Sequence, residues 1–325
     1  MTVVAPTPPP SQRVTVSVTV LIPCHNAAPF IRQAVDSCLG QTCRPEKILV
    51  VDDASTDGSS PILDDYAHQG LIELVRNSDR RGKSNSLNAV CDRIETRYTA
   101  LLDADDIALP TRLERQVAFM DAHPELGCSG SFVQYINAAG KVLANGVLDL
   151  LTEADLRRYL GSADPFGLFC SAVILRTEVL GNPALRFRAQ FWPADDIDLW
   201  NRIAEAGWQV RAQPEFLVQY RIHSASVVTS NARRTRLEFE WVRACLRARR
   251  AGRLEPTREA FDATLARMSW LVKLNRRRKL EAKVASRAAG FAYAEGRILR
   301  AVVSLIMAFC LQPTYVVGRV RQHML

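Results

Sequence analysis

A chain of 325 residues has room for one large or two modest domains, and 48% apolar with 23% charged residues is a globular composition, not a disordered or fibrous one. Sixteen glycines and sixteen prolines exclude a collagen-like or low-complexity design. The net charge of +8 is unevenly spread: residues 231–325 carry 21 Lys and Arg against 7 Asp and Glu, a net of +14, which leaves −6 on residues 1–230.

Residues 1–13 read as a disordered tail, polar and proline-rich, without the charged-then-apolar leader of a signal peptide. Val14, Val16, Val18, Val20 and Ile22 alternate with Thr15, Ser17, Thr19 and Leu21, a period-two strand ending at Pro23. Phe30 to Leu39 is helical, with Ile31, Val35, Cys38 and Leu39 on one face. Ile48 to Val51 is uniformly apolar, as in strands buried on both faces of a parallel sheet. Further strands are expected at Leu71 to Val75 and Tyr98 to Leu102, with helices near Pro61 to His68 and Lys83 to Ile94. The alternation predicts a doubly wound α/β sheet whose ligand sits beyond the carboxyl ends of its strands. Eight cysteines without CxxC spacing read as reduced thiols of a cytosolic protein.

Acidic residues gather at two of those ends. Asp52 and Asp53 follow one strand, and Asp103, Asp105 and Asp106 follow another. Turn-building and helix capping account for either cluster alone. Two clusters at one sheet edge repel each other and call for a cation or hydrogen-bond donors, and a hard cation such as Mg²⁺ or Mn²⁺ would also take substrate phosphates. A third group, Asp195-Asp196-Ile197-Asp198, opens a helix marked by Ile197, Trp200, Ile203 and Ala204. Capping by Asp195 or Asp198 and a general base are both open there.

With these residues laid out, the body resembles the family 2 glycosyltransferases, inverting enzymes with a GT-A nucleotide-sugar fold. The matching stretches run in order: Val18 to Asn26, Val50 to Gly58, Arg81-Gly82-Lys83-Ser84, Leu101 to Asp106 with Pro110, His123 to Gly127, Asp195 to Trp200, and Tyr220-Arg221-Ile222-His223. The resemblance implies a mixed α/β sheet flanked by helices over residues 14–230, a nucleotide-sugar donor (a UDP sugar), a glycan or lipid-linked acceptor, and Mn²⁺ or Mg²⁺ as cofactor. It puts Pro23, His25 and Asn26 at the nucleotide, with the His25 imidazole where the family often stacks a Tyr on the base. Asp53 would accept the N3–H of uracil, with Asp52 structural or beside the ribose. Asp103 lies near the ribose, Asp105 on the metal, His223 near the metal or diphosphate, and Arg81 and Lys83 at the diphosphate. Asp196 falls on the catalytic base, and Asp195 takes the place of the family's usual Glu. That set suits an inverting transfer, in which a carboxylate takes the acceptor proton while cations stabilise the departing diphosphate.

Rival readings are a metal-dependent phosphatase, since Asp103-Ala104-Asp105 also follows an apolar strand, and a non-catalytic membrane-bound sugar-nucleotide-binding protein. An NAD-linked dehydrogenase is not expected, since no GxGxxG follows the first strand. Trp192 and Trp208 read as core or acceptor groove, His68 and His123 as polar helix-end or turn residues. Cys24 and His25 are strand neighbours facing opposite ways, not a nucleophile pair.

Residues 231–325 read as Arg-rich helices, Arg233 to Arg250, Thr257 to Lys279 and Ala282 to Leu311. Ala301 to Leu311 is apolar but for Ser304, too short to span a bilayer, and flanked by Arg297, Arg300, Arg319 and Arg321. This predicts either an interfacial segment on an anionic membrane surface, making the protein cytoplasmic and peripheral on that membrane's cytoplasmic face, or a helical lid on the acidic body. Nucleic acid is not expected as a partner, because no aromatic-interleaved basic sheet or DNA-binding helix pattern is present.

Overall fold

A computed structural model describes residues 13–223, 231–294 and 296–316; most of the proline-rich tail, Arg319 and Arg321 lie outside them. The chain divides into two compact units. One takes in the chain to Ile136 with Ala144–Arg221, the other Asn137–Leu143 and the chain from Ile222 on.

The first unit is built on four parallel strands, β1 (Thr15–Cys24), β2 (Arg44–Asp52), β3 (Glu73–Arg76) and β4 (Tyr98–Leu101). The sheet continues through β5 (Ile107–Ala108), β6 (Leu126–Ile136), β7 (Val142–Gly146), β8 (Ile174–Arg176) and β9 (Gln209–Arg221) in the order β3-β2-β1-β4-β8-β6-β9-β5, with β7 beside β6. β8 runs antiparallel to both β4 and β6, so the sheet is mixed. Helices α1 (Ile31–Leu39), α2 (Ser59–His68), α3 (Lys83–Asn88), α4 (Arg112–Ala122), α5 (Glu153–Leu160), α6 (Thr177–Gly181) and α7 (Asp195–Glu205) flank it.

Period-two geometry sends alternate residues of a strand to opposite faces. Val18, Val20 and Ile22 of β1 and Ile48 and Val50 of β2 pack with Ile31, Val35, Leu63 and Met120 on one side. Leu21, Leu49, Val51 and Leu101 pack on the other with Leu87, Leu199, Trp200 and Ile203. Thr19, of the alternate set, is also fully buried, its hydroxyl 2.8 Å from that of Thr96.

The helix expected over Lys83 to Ile94 stops at Asn88, because the Asn88 amide bonds the backbone of Phe187 in both directions (2.7 and 3.1 Å). A 3-10 turn, Cys91–Arg93, follows. The last two predicted helices of the basic segment are also divided differently. Its helices are α8 (Ala232–Arg250), α9 (Arg258–Arg267), α10 (Trp270–Ala294) and α11 (Ile298–Leu311). The backbone turns extended at Met268, and Gly296, at φ 76°, takes the left-handed conformation that ends the long helix. α10 and α11 pack through small side chains, with Ala285 against Ala308.

Candidate active site

Register levels the strand tips. Leu21 of β1 pairs with both Leu49 and Leu101, and Cys24 pairs with Asp52. Beyond the strands the Asp53 N–H donates to Cys24 O (2.8 Å) and the Leu102 N–H to Leu21 O (3.1 Å). The acidic clusters therefore flank the end of β1 on one edge, where helices pass from one face of the sheet to the other.

Two residues without the freedom of glycine, Asn26 and Ala54, stand at φ 54° and 55° at that edge. A polar lattice holds them. Asn26 Oδ1 accepts the Thr56 N–H (2.8 Å), and Ser55 and Ser59 hydroxyls accept the N–H groups of Asn26 and Ala27. Asp57 accepts from Ala28 and Ser59, and Asp52 accepts from the Ser55 N–H and the Ser60 hydroxyl. Asp52 and Asp57 are thus turn builders. His25 Nδ1 lies 2.8 Å from Asp53 O.

Asp53 is buried, and its carboxylate accepts from Asn77 (2.7 Å) and from the N–H groups of Arg81 and Gly82 (2.8 Å each). Burial pushes that carboxyl up, but the Arg81 N–H and the other donors outweigh it and hold it below the ordinary range. Three of about four acceptor positions are taken, which fixes the loop from which α3 starts. Gly82, at φ 83° and ψ 153°, makes that start possible.

The first turn of α3 joins the remaining carboxylates. Lys83 Nζ donates to Asp103 Oδ1 (2.5 Å), and Ser84 Oγ donates to Asp195 Oδ2 (2.5 Å). Burial disfavours the Lys83 ammonium, but Asp103 overcomes this and keeps its pKa well above the usual value. Asp195 and Asp196 open α7, yet neither caps it. Burial raises Asp195 despite the Ser84 bond, and burial with the neighbouring Asp195 raises Asp196 to about 7. Asp196 accepts only its neighbour's Ile197 N–H (2.7 Å) among the described residues. Fully buried Asp198, the other candidate cap, instead takes Arg188 (2.5 and 2.8 Å) and Arg202 (2.8 Å), fixing α7.

Arg221 positions the Asp103–Asp106 loop. Its Nε donates to Asp105 O (2.7 Å), its N–H to Asp106 Oδ1 (2.6 Å), and its Nη2 to Gln33. Asp106 is buried with Oδ2 unpartnered among the described residues, and burial, then Asp105, hold its carboxyl well above the ordinary range. Half-buried Asp105 offers a hard oxygen donor on this loop. No three His, Cys, Asp or Glu side chains gather as a cation cage among the described residues. A cation on a nucleotide diphosphate needs none, since one or two carboxylates and the phosphates suffice. Asp105 fits that role.

The structure thus brings Pro23, His25, Asn26, Asp52, Asp53, Lys83, Asp103, Asp105, Asp195 and Asp196 to one region of the first unit, with exposed Arg81 on its rim. His223 belongs to the second unit. Ser84 and Arg221 stood inside recognised stretches with no role assigned. Asn77 and Ser171, whose Oγ accepts the Asp103 N–H (3.0 Å), stood outside them and had no signal. Trp208 packs on the core, with its Cβ and Cγ 2.7 Å from where a Cβ on Gly127 would lie. Cys24 is buried, its thiol raised to about 12 by burial, and is inert.

The family model described as glycosyl transferase family 2 matches residues 19–177. An uncharacterized glycosyltransferase of Haemophilus influenzae is 27% identical over 214 residues, 63% of this chain and 65% of that protein. The chain therefore spans just under two thirds of that relative's length. The UDP-Glc:alpha-D-GlcNAc-diphosphoundecaprenol beta-1,3-glucosyltransferase WfaP of Escherichia coli is 26% identical over 210 residues, 65% of this chain and 79% of that one. In fold the chain is similar to the mannosyltransferase PcManGT of Pyrobaculum calidifontis, solved with GDP-Man and Mn²⁺. The TM-score is 0.52 at 20% identity, over 93% of this chain and 87% of that one.

Proposed function

We infer that this chain, which belongs to the family 2 glycosyltransferases, moves a sugar from a nucleotide-diphosphate donor, a UDP sugar, to a hydroxyl of a glycan or lipid-linked acceptor with inversion at the anomeric carbon. One observation carries the reading: adjacent residues of α3, Lys83 and Ser84, tie Asp103 to the Asp195-Asp196 pair. That unites a cationic group suited to a diphosphate with a carboxyl poised near neutral pH.

In this mechanism Asp196 takes the proton of the acceptor hydroxyl as its oxygen bonds to the anomeric carbon. The bond to the diphosphate breaks and its electron pair leaves with the nucleotide. A pKa of about 7 makes Asp196 a stronger base than an ordinary carboxylate while leaving it substantially ionised at neutral pH. Asp195, anchored by Ser84, raises its neighbour and holds the turn. Lys83, kept charged by Asp103, stabilises the leaving diphosphate, and Arg81 on the loop rim adds to it. Asp105 would hold the Mn²⁺ or Mg²⁺, whose charge would offset that of the diphosphate. Asp53 and His25 shape the nucleotide end. The names of the relative that uses UDP-Glc and of the neighbour solved with Mn²⁺ support this reading.

The same reading seats the protein peripherally on the cytoplasmic face of an anionic membrane. α11 buries only Ala301 and Ala308 and exposes Leu299, Val303, Ile306, Met307 and Phe309, a surface suited to an interfacial helix. No described helix is long and apolar enough to cross a membrane.

The test is turnover of UDP sugars with Mn²⁺ and a lipid-linked glycan, following nucleotide release and the anomeric configuration of the product by NMR. Nucleoside diphosphate with an inverted linkage is expected. Release of inorganic phosphate would point to the phosphatase, and retained configuration would overturn the role of Asp196.

A further inference from the structure

The second unit contains a cavity that the transfer chemistry does not use. It has a volume of about 650 Å³, within the roughly 300–1,000 Å³ range of small-molecule sites, and is an open pocket bordered by α8, the segment leading to α9, α9 itself and the start of α10. Its walls are well held. Glu238 of α8, almost fully buried, takes Arg258 of α9 through both oxygens (2.7 and 2.8 Å), and Trp241 Nε1 donates to Pro256 O (3.0 Å).

The lining is of two kinds. Arg243, Arg247, Arg253 and Arg276 face it, against one carboxylate, Glu240, which is already bonded to Arg276 and paired with Arg236. Arg247 and Arg253 are exposed and form no ion pair among the described residues. Phe261, Leu265 and Met268 also line it, and Leu254 stands there 96% exposed, an apolar side chain with nothing over it. The excess of positive charge is felt nearby: burial, then Arg236, with Arg243 adding to it, hold Lys283 below the usual lysine range.

Guanidinium groups in excess suit phosphate oxygens, which they bind in pairs of parallel hydrogen bonds. The apolar wall suits hydrocarbon. A nucleobase would need acceptors as well as donors, and the only side-chain oxygens lining the cavity are those of Thr264 and the engaged Glu240. We propose that this cavity binds the diphosphate head and first stretch of hydrocarbon of a lipid-linked acceptor. This rests on the reading above that the acceptor is lipid-linked, and makes the helical unit an acceptor-binding unit.

The experiment measures binding to the full-length protein, without divalent cations or nucleotide sugar, of farnesyl diphosphate, inorganic diphosphate and farnesol. Farnesyl diphosphate is expected to bind at least tenfold tighter than either fragment. The exposed pair R247E/R253E is expected to lose at least tenfold of that affinity while leaving nucleotide-sugar binding within twofold of the parent. Equal binding by the variant, or by inorganic diphosphate, would overturn the proposal. So would equal competition by phosphatidylglycerol vesicles, which would mark a membrane-phospholipid site. Because no donor is present, failure here is distinct from failure of the transferase reading, which the turnover assay reports alone.

Discussion

Replacing Asp196 with Asn is the sharpest test of the catalytic assignment. The side chain keeps its shape, and Asn Oδ1 can still accept the Ile197 N–H that Asp196 accepts at 2.7 Å. What is lost is the ability to take a proton. General bases contribute about 10²–10⁴-fold, so turnover should fall by that factor, or about 2.7–5.4 kcal/mol in the barrier. The pH dependence adds a signature that misfolding would not imitate. Burial and the adjacent Asp195 raise Asp196 to about 7, so the base is protonated below neutral pH and ionised above it. Near that value, ionisation rises from about 9% at pH 6 to about 91% at pH 8, and kcat should climb about tenfold across the interval. In Asp196→Asn the residual rate should be flat over the same range. Asp195→Asn removes the neighbouring charge but can still accept the Ser84 hydroxyl, so the acid limb should move to lower pH with turnover at pH 8 little changed. The assay is nucleotide release from pH 5.5 to 8.5 with donor saturating. A sloping profile in Asp196→Asn and a flat, slow one in Asp195→Asn would exchange the two roles.

Asp105→Ala should weaken Mn²⁺-dependent donor binding at least tenfold, read as loss of the thermal shift that the donor gives with Mn²⁺; an undiminished shift would remove Asp105 from the metal. Gly127→Ala would place a Cβ 2.7 Å from the Trp208 side chain, so overpacking should cost about 1–3 kcal/mol, at about 2–4 °C of Tm for each. A parent-like melting curve would contradict that close approach. The pair L299E/I306E on α11 should release the protein from anionic vesicles in co-sedimentation. The parent's binding should weaken in high salt without vanishing, since each basic residue near the surface adds about 1 kcal/mol that salt screens over roughly 8 Å, whereas the apolar part is not screened. Parent protein that ignores the vesicles would return α11 to the role of a packed helix.

The strand tips and their carboxylates were legible in the sequence because the pattern that marks them is local. A β-branched run such as Val18 to Ile22, or an unbroken apolar run such as Ile48 to Val51, must be extended and buried, and the first polar residues after it must emerge at the sheet edge. That local logic put Asp53 and Asp103 beyond their strands and Asp195 at the start of a helix; Asp52, expected just past its strand, is instead the last residue of β2. It could not show that Lys83 bonds Asp103 twenty residues on, or that Ser84 bonds Asp195 across 111 residues. Nor could it separate the two adjacent aspartates. Their difference lies in which carboxylate meets a hydroxyl from another element, and only packing brings that hydroxyl near.

Boundaries failed for the same reason. Propensity alone carries a helix from Lys83 to Ile94, but the bonds between Asn88 and Phe187 end it, and Phe187 is 99 residues distant. In the basic segment, composition gave the charge split, and the helices were divided at backbone positions such as Gly296. Sequence by itself determined which residues had to be inside, which edge of the sheet carried the acids, and the family those acids indicate. Tertiary structure decided the partners, and through them the protonation of Asp196 and Lys83, because a pKa depends on burial and on charges a few ångströms away, whatever their distance along the chain.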